Sequence, residues 1–294
     1  MRLALLFLCT LAVTGCVRHL GAPEGEPPAL PDYNVAVIED RVYTPDDWPQ
    51  ALHADIYRPE PPGRYPTVLM VHGGGWERRS PEDTAGLARQ LAEQGFVVVN
   101  IEYRFAPEYT FPAQLHDLQM AMRWLHVHAD DYGIDRSRVG AWGYSSGAHL
   151  VTLLATVAAD TDSPLNEPYG GPVTRPRAVV AGGTPTDLRK FEGGTLVPQF
   201  LGGPQESNAA IYAAASPVTH VGADTPPHLL YHGTLDSVVP VDHAEDYRTA
   251  LNANGVDNEL LLLRGKGHVA AFLFGGAAED AGAAFLARTL TPAH

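Results

Sequence analysis

The sequence predicts one doubly wound α/β domain, a mostly parallel sheet with helices on both faces. Short β-branched or apolar runs alternate with stretches of helical period, and each of two glycine-containing motifs begins where such a run ends. The 294 residues contain no internal repeat or interior linker, and α/β folds of this size commonly form a single domain. In chain order, the first strands are expected over Val35 to Thr44 and Leu52 to Tyr57. Thr67 to Val71 follows and delivers His72-Gly73-Gly74-Gly75-Trp76. Ser80-Pro81-Glu82-Asp83 reads as a helix start, with Ser at the N-cap, Pro at the first helical position and acids in the first turn; Gly95 ends it. Phe96 to Ile101 reads as an interior strand. Leu115, Leu118, Met122 and Leu125 recur at helical spacing, a stripe expected to pack the core. Arg138 to Trp142 delivers Gly143-Tyr144-Ser145-Ser146-Gly147, and the following Ala148, Leu150, Val151, Leu153 and Leu154 suit a buried helix. Ala178 to Ala181, Leu229 to His232 and Glu259 to Leu263 supply the remaining strands, and a helix from Val241 to Ala253 is stopped by Gly255.

The two motifs carry chemistry. In G-x-S-x-G a strand turns so sharply into a helix that the serine takes a strained backbone conformation, with no room for a side chain two residues away on either side. Gly143 and Gly147 meet that demand around Ser145; were Ser146 the nucleophile, Tyr144 would stand where a glycine belongs. Ser146 then offers its backbone N–H to a developing oxyanion, and the side-chain-free backbone of Gly74 and Gly75 offers further donors. Trp76 and Tyr144 flank this region and are expected to line the substrate pocket, with core packing as the alternative.

With both motifs present in this order, the chain resembles the α/β-hydrolase superfamily, in particular the bacterial esterase and lipase group with an HGGGW oxyanion motif, similar to hormone-sensitive lipase and to feruloyl and acetylxylan esterases. Tyr103-Arg104-Phe105-Ala106-Pro107-Glu108 resembles that group's Y-R-L-A-P-E segment, and Phe111-Pro112-Ala113 through Asp117 to Trp124-Leu125 resembles its following helix. Phe105 in place of Leu, and Ser146 in place of the commoner Ala, are the departures. The resemblance implies a serine carboxylesterase with the chain order Ser, then acid, then His. Asp236, in the turn Gly233-Thr234-Leu235-Asp236, is the expected acid, with Asp187 as its main competitor; Asp242 opens a helix, where an acid suits the helix dipole. His268 follows the last strand through Gly265-Lys266-Gly267 and is the expected base. Of the other histidines, His126 and His128 point away from each other on a helical pattern, and His72 and His232 are expected to hydrogen-bond nearby loops. No metal and no organic cofactor is expected.

A formal net charge of −14 argues against nucleic-acid binding. Arg2, an apolar run from Leu3 to Ala12 and then Val13-Thr14-Gly15-Cys16 resemble a bacterial lipobox, which implies cleavage before Cys16 and its acylation, hence an exported, membrane-anchored lipoprotein; an ordinary secretory signal without lipidation is the alternative, separated from it only by the position of the cysteine. Val17 after that cysteine resembles outer-membrane sorting, in a cell with two membranes. Residues 1–15 are thus expected as signal peptide, 16–33 as a Pro-rich tether lifting the domain off the membrane, and 34–294 as the catalytic domain, with a short lid about 184–226. A site without an N-terminal helical cap suits short or small acyl groups on small-molecule or polysaccharide-linked substrates. An arylformamidase-like amidase or a peptidase could use the same triad, and a non-catalytic binding lipoprotein is a further alternative; Ser145 at the elbow argues against the Asp nucleophile of haloalkane and epoxide hydrolases.

Overall fold

Strands that are apolar on both faces need cover on both faces, and the apolar runs of this chain build such a sheet. The computed structural model describes residues 17–290; the expected signal peptide and Cys16 lie outside the described residues. Its strands are β1 (Val17–Leu20), β2 (Val35–Val42), β3 (His53–Pro59), β4 (Tyr65–Val71), β5 (Val97–Ile101), β6 (Ile134–Tyr144), β7 (Val179–Gly182), β8 (His228–Gly233) and β9 (Asn258–Leu263). Its helices are α1 (Ala85–Glu93), α2 (Ala113–Val127), α3 (Ala129–Tyr132), α4 (Ser146–Ala159), α5 (Leu196–Leu201), α6 (Gln205–Ala214), α7 (Asp242–Ala253), α8 (His268–Leu273) and α9 (Gly276–Leu290). They form one nine-stranded sheet in the order β1-β9-β8-β7-β6-β4-β5-β3-β2. The run from β9 to β5 is parallel, while β3 and β2 at one edge and β1 at the other pair antiparallel. The expected doubly wound sheet is therefore the observed one.

Alternation along β4 divides the interior in two. Leu69 and Val71 pack into a core shared with α2, α4 and α7, while Val68 and Met70 face a second core closed by α1 and α9. The stripe Leu115, Leu118, Met122 and Leu125 lies wholly in the first core. α4 is buried from Ser146 to Ala158, which fits its nearly unbroken apolar sequence. Beneath the first core, Asp117 accepts from Arg104 Nε at 2.8 Å, from the Arg104 amide at 2.9 Å and from Trp48 Nε1 at 2.9 Å, so its buried charge is fully satisfied.

Two expectations change. Ser80 is extended, but its side chain caps nothing, and the segment first makes a 3-10 turn over Pro81–Thr84 before α1 begins. The tether does not exist over its first part: Val17–Leu20 pairs with Leu263–Leu260 of β9, and residues 21–33 then pass under the sheet, where Pro31 lies against Gly95 and the Tyr33 amide donates to Glu93 O. An uncovered β9 would present a row of unpaired backbone groups, and β1 supplies their partners. His19 Nε2, 2.7 Å from Glu259 Oε2, reinforces that pairing.

Three buried histidines are held neutral by complementary partners. His149 accepts from Trp76 Nε1 and donates to Ala215 O; His228 donates to Pro226 O and faces the Tyr247 hydroxyl; His243 Nδ1 accepts from the Thr186 amide. Burial pushes all three down to about 4. The unfolded chain therefore binds more protons than the native one below about 6.5, the ordinary histidine value. Stability should fall as the pH drops from about 6.5 to about 4. Urea midpoints measured through that window test this, and a constant midpoint contradicts it.

Candidate active site

The parallel strands place their carboxyl ends along one edge, and the loops after β4, β6, β8 and β9 all arise there. At the end of β6, Ser145 has φ 53° and ψ −122°, a conformation that L-residues avoid and that costs about 1 to 3 kcal/mol. The flanking glycines make it possible. A Cβ on Gly143 would lie 2.4 Å from the Gly147 carbonyl carbon, and one on Gly147 would lie 2.2 Å from Val71 O. The steric requirement inferred from the motif thus has a physical form: the turn folds onto itself and onto the end of β4. The Ser145 amide donates to Gly182 O of β7, which pins the elbow to the neighbouring strand.

Ser145 Oγ lies 2.9 Å from His268 Nε2, and His268 Nδ1 lies 2.6 Å from Asp236 Oδ2. The three side chains expected as a triad therefore meet, although 123 residues separate Ser145 from His268. Asp236 Oδ1 also accepts from the amides of Val238 and Val239, each at 2.9 Å. Burial alone would raise the carboxyl's pKa, but the hydrogen bonds from His232, His268 and the Val239 amide outweigh it and hold Asp236 well below the usual carboxylate range. It is thus an anion facing the imidazole Nδ1, which favours the tautomer with its lone pair on Nε2, toward Ser145. The competitor Asp187 is engaged elsewhere: it accepts from the Arg189 amide and guanidinium and caps the turn Leu188–Lys190. Asp242 stands in the first turn of α7, as expected, and pairs with Lys190.

The glycine loop is laid against this elbow. A Cβ on Gly73 would sit 3.0 Å from Tyr144 O and 3.3 Å from Ser145 Cβ. Gly74 and Gly75 adopt φ of 125° and 66°, the first with Arg78 O so close that no side chain could be accommodated. Among the described residues, the amides of Gly74, Gly75 and Ser146 have no backbone acceptor. Ser146 is also the first residue of α4, so its N–H lies at the positive end of that helix.

The expectation that Trp76 and Tyr144 line the pocket is not met, since both are buried. Trp76 stacks on Phe200 of α5 at 4.6 Å and donates to His149, and Tyr144 donates its hydroxyl to His268 O at 2.6 Å. Each holds a loop of the site from behind. Tyr103, inside the Y-R-F-A-P-E segment, does the same: its hydroxyl reaches His72 O at 3.2 Å and Ser146 Oγ at 3.3 Å, and its ring stacks on His72. His72 bonds Gly73 O and His232 bonds Val239 O, the loop roles expected of them, with His232 also 3.4 Å from Asp236 Oδ2. The segment expected as a lid contains α5 and α6, and its Val197, Phe200 and Leu201 are buried in the core. Leu196 is the side chain that the sequence did not single out, packed where a Cβ on Gly75 would lie 3.2 Å away. Among the described residues no three His, Cys, Asp or Glu side chains converge as a metal-binding group.

Comparison with known proteins agrees with this architecture. The family model BD-FAE matches residues 54–251. The chain is 32% identical over 213 residues to a probable carboxylic ester hydrolase, LipM, of Mycobacterium tuberculosis, which covers 68% of this chain and 49% of that protein. It is 30% identical over 248 residues to esterase LipC of the same organism, covering 79% of this chain and 60% of that protein. The chain thus spans about half the length of the curated relatives it matches. Among solved structures, a truncated carbohydrate esterase from gut microbiota superposes with a TM-score of 0.77 at 22% identity, over 91% of this chain and 100% of that one, a likeness of fold.

Proposed function

Because this chain belongs to the BD-FAE family of α/β hydrolases, we propose that it is a serine carboxylesterase in which Ser145, His268 and Asp236 form the catalytic triad. Ser145 Oγ attacks the ester carbonyl carbon while its proton passes to His268 Nε2, and the carbonyl oxygen becomes an oxyanion bound by the amides of Gly74, Gly75 and Ser146. Collapse of this intermediate breaks the bond to the alcohol, which departs with the proton from His268. Water, deprotonated by the same nitrogen, then attacks the acyl-enzyme, and Ser145 regains its proton as the acid leaves. Asp236 stays ionised throughout and stabilises the imidazolium formed in each half-reaction.

The observation that carries this reading is the 2.9 Å contact of Ser145 Oγ with His268 Nε2 on a strained elbow, beside amides that have no other acceptor among the described residues. The named activities of the two mycobacterial relatives support ester rather than amide cleavage. Ser145→Ala should lower ester turnover roughly a million-fold, and Asp236→Asn about ten-thousand-fold. Stoichiometric labelling of Ser145 by an organophosphate, lost in Ser145→Ala, checks the nucleophile; an active Ser145→Ala enzyme contradicts it.

The acyl group is proposed to be small. Leu196 against Gly75, and the Trp76–Phe200 stack behind it, restrict the space beside the glycine loop. In a p-nitrophenyl ester series, kcat/KM should peak at the shortest chains; a strict preference for long acyl chains overturns this point.

The N-terminus supplies a second part of the proposal, export as a lipoprotein acylated at Cys16. Its support is the sequence of Arg2, the apolar run and Gly15-Cys16. Labelled fatty acid should be incorporated by the parent chain and not by Cys16→Ser, and equal incorporation by both would remove Cys16 as the acylation site.

A further inference from the structure

Five apolar side chains stand in solvent beside the candidate active site. Leu235, Val269, Leu273 and Phe274 are each 60 to 70% exposed and Val238 is 52% exposed, on a chain whose other large apolar residues are mostly buried. They come from two connections at one edge of the sheet, the turn after β8 and the region of α8 after β9. Those connections are joined: the Leu235 amide donates to Lys266 O, the Gly265 amide to Thr234 Oγ1 and the Thr234 amide to Leu263 O. The exposed residues therefore belong to one rim around Asp236 and His268. Large apolar side chains exposed together on two joined connections, on a protein whose other large apolar residues are mostly buried, mark a contact face.

Its charge is as unusual as its polarity. The chain carries 34 acidic and 20 basic residues, yet Gly265 to Gly275 contains no carboxylate and does contain Lys266. From Pro226 to Val241 the one acid is Asp236, whose side chain is completely buried. A strongly anionic protein thus presents no exposed carboxylate from these segments, which suits contact with the interface of a bilayer.

The path of the chain supplies the occupant. β1 is antiparallel to β9 and its first residue, Val17, lies opposite Leu263, the last residue of β9. The chain therefore enters the sheet at the same edge from which His268 emerges. The sixteen residues before Val17 are largely apolar in sequence, and Cys16 is a single peptide, about 3.8 Å between Cα atoms, from the sheet. The Pro-rich residues 21–33 follow β1 and run along the opposite edge, where Pro31 lies against Gly95, so they do not lie between Cys16 and the sheet. No helix among the described residues could itself cross a membrane. An acyl group on Cys16, as proposed above, would therefore be attached next to Val17, at the carboxyl edge of the sheet where the rim lies.

We propose that the rim formed by Leu235, Val238, Val269, Leu273 and Phe274 docks onto a lipid surface, so that the anchored protein holds its catalytic edge against the bilayer and draws esters from it. The docking rests on the acylation of Cys16 proposed above, whose failure would appear as absent fatty-acid incorporation; only its second half, the drawing of esters from the bilayer, rests on the ester-hydrolysis reading.

The test uses the protein with its N-terminus as the cell processes it, incorporated into phosphatidylcholine vesicles. A tryptophan is placed at the rim by Phe274→Trp and, as a control, at the far edge by Val127→Trp, where α2 ends with a side chain 74% exposed. Brominated phosphatidylcholine should quench the added emission in Phe274→Trp and leave that of Val127→Trp unchanged. Separately, Leu273→Ser combined with Phe274→Ser should lower turnover of an acetate ester of a long-chain alcohol dissolved in the vesicles about tenfold, with turnover of water-soluble p-nitrophenyl acetate within about twofold of the parent. Absent quenching at 274, or equal quenching at both positions, overturns the docking. A blue shift at 274 without quenching assigns the rim to a second copy of the chain and also overturns it. Loss of the esterase reading would appear instead as absent p-nitrophenyl acetate turnover in the parent, with the quenching result intact.

Discussion

Everything at this edge of the sheet depends on one close approach of backbones. The turn after β6 can hold Ser145 in its strained conformation only because Gly143 and Gly147 touch each other and because Gly147 touches the end of β4. The same contact brings the glycine loop after β4 against the elbow, so the proposed nucleophile and the amides proposed to receive the oxyanion are positioned by a single packing event. The cost of the strained residue is small against the parallel pairing of β4 with β6, which over-determines where the turn must go.

Around that contact, buried polar side chains fix loops by their main-chain atoms rather than by reaching a substrate. Tyr103 holds His72 O, Tyr144 holds His268 O, His232 holds Val239 O, and Trp76 is tied through His149 to Ala215 O. Each loop that bears a proposed catalytic group thus has a hydrogen bond from behind it in a region closed to water, where an unmade bond is costly. This arrangement gives a physical reason for aromatic residues beside both motifs that does not involve the pocket. The Arg104–Asp117–Trp48 cluster extends the same principle one layer down, and the Ala106 amide, bonded to Trp76 O, links it to the glycine loop.

The edges of the sheet have different tasks. On one side β2 and β3 end the sheet as an antiparallel pair, and on the other β1 caps β9, with Val17 opposite Leu263 at the edge that carries the candidate active site. A segment that composition marks as a semi-extended, Pro-rich tether is thereby made in part a strand of the fold, and distance from the membrane is replaced by contact with it in the proposed orientation.

Much of this was legible in the residues. The period of the apolar runs determined the parallel strands and the buried stripe of α2, and the spacing of Gly143, Ser145 and Gly147 marked Ser145 as the residue on the strained elbow, because covalent geometry and steric exclusion act within a few residues. Asp236 over Asp187, and the pairing of His268 with Ser145, needed the resemblance to a family as well as the motif, since nothing local relates groups more than a hundred residues apart. Tertiary structure alone decided the rest: that Trp76 and Tyr144 are buried supports, that Leu196 stands over Gly75, and that Val17–Leu20 becomes a strand. These depend on which surface is left unpaired once the sheet has formed, a property of the assembled chain and of no short stretch of it.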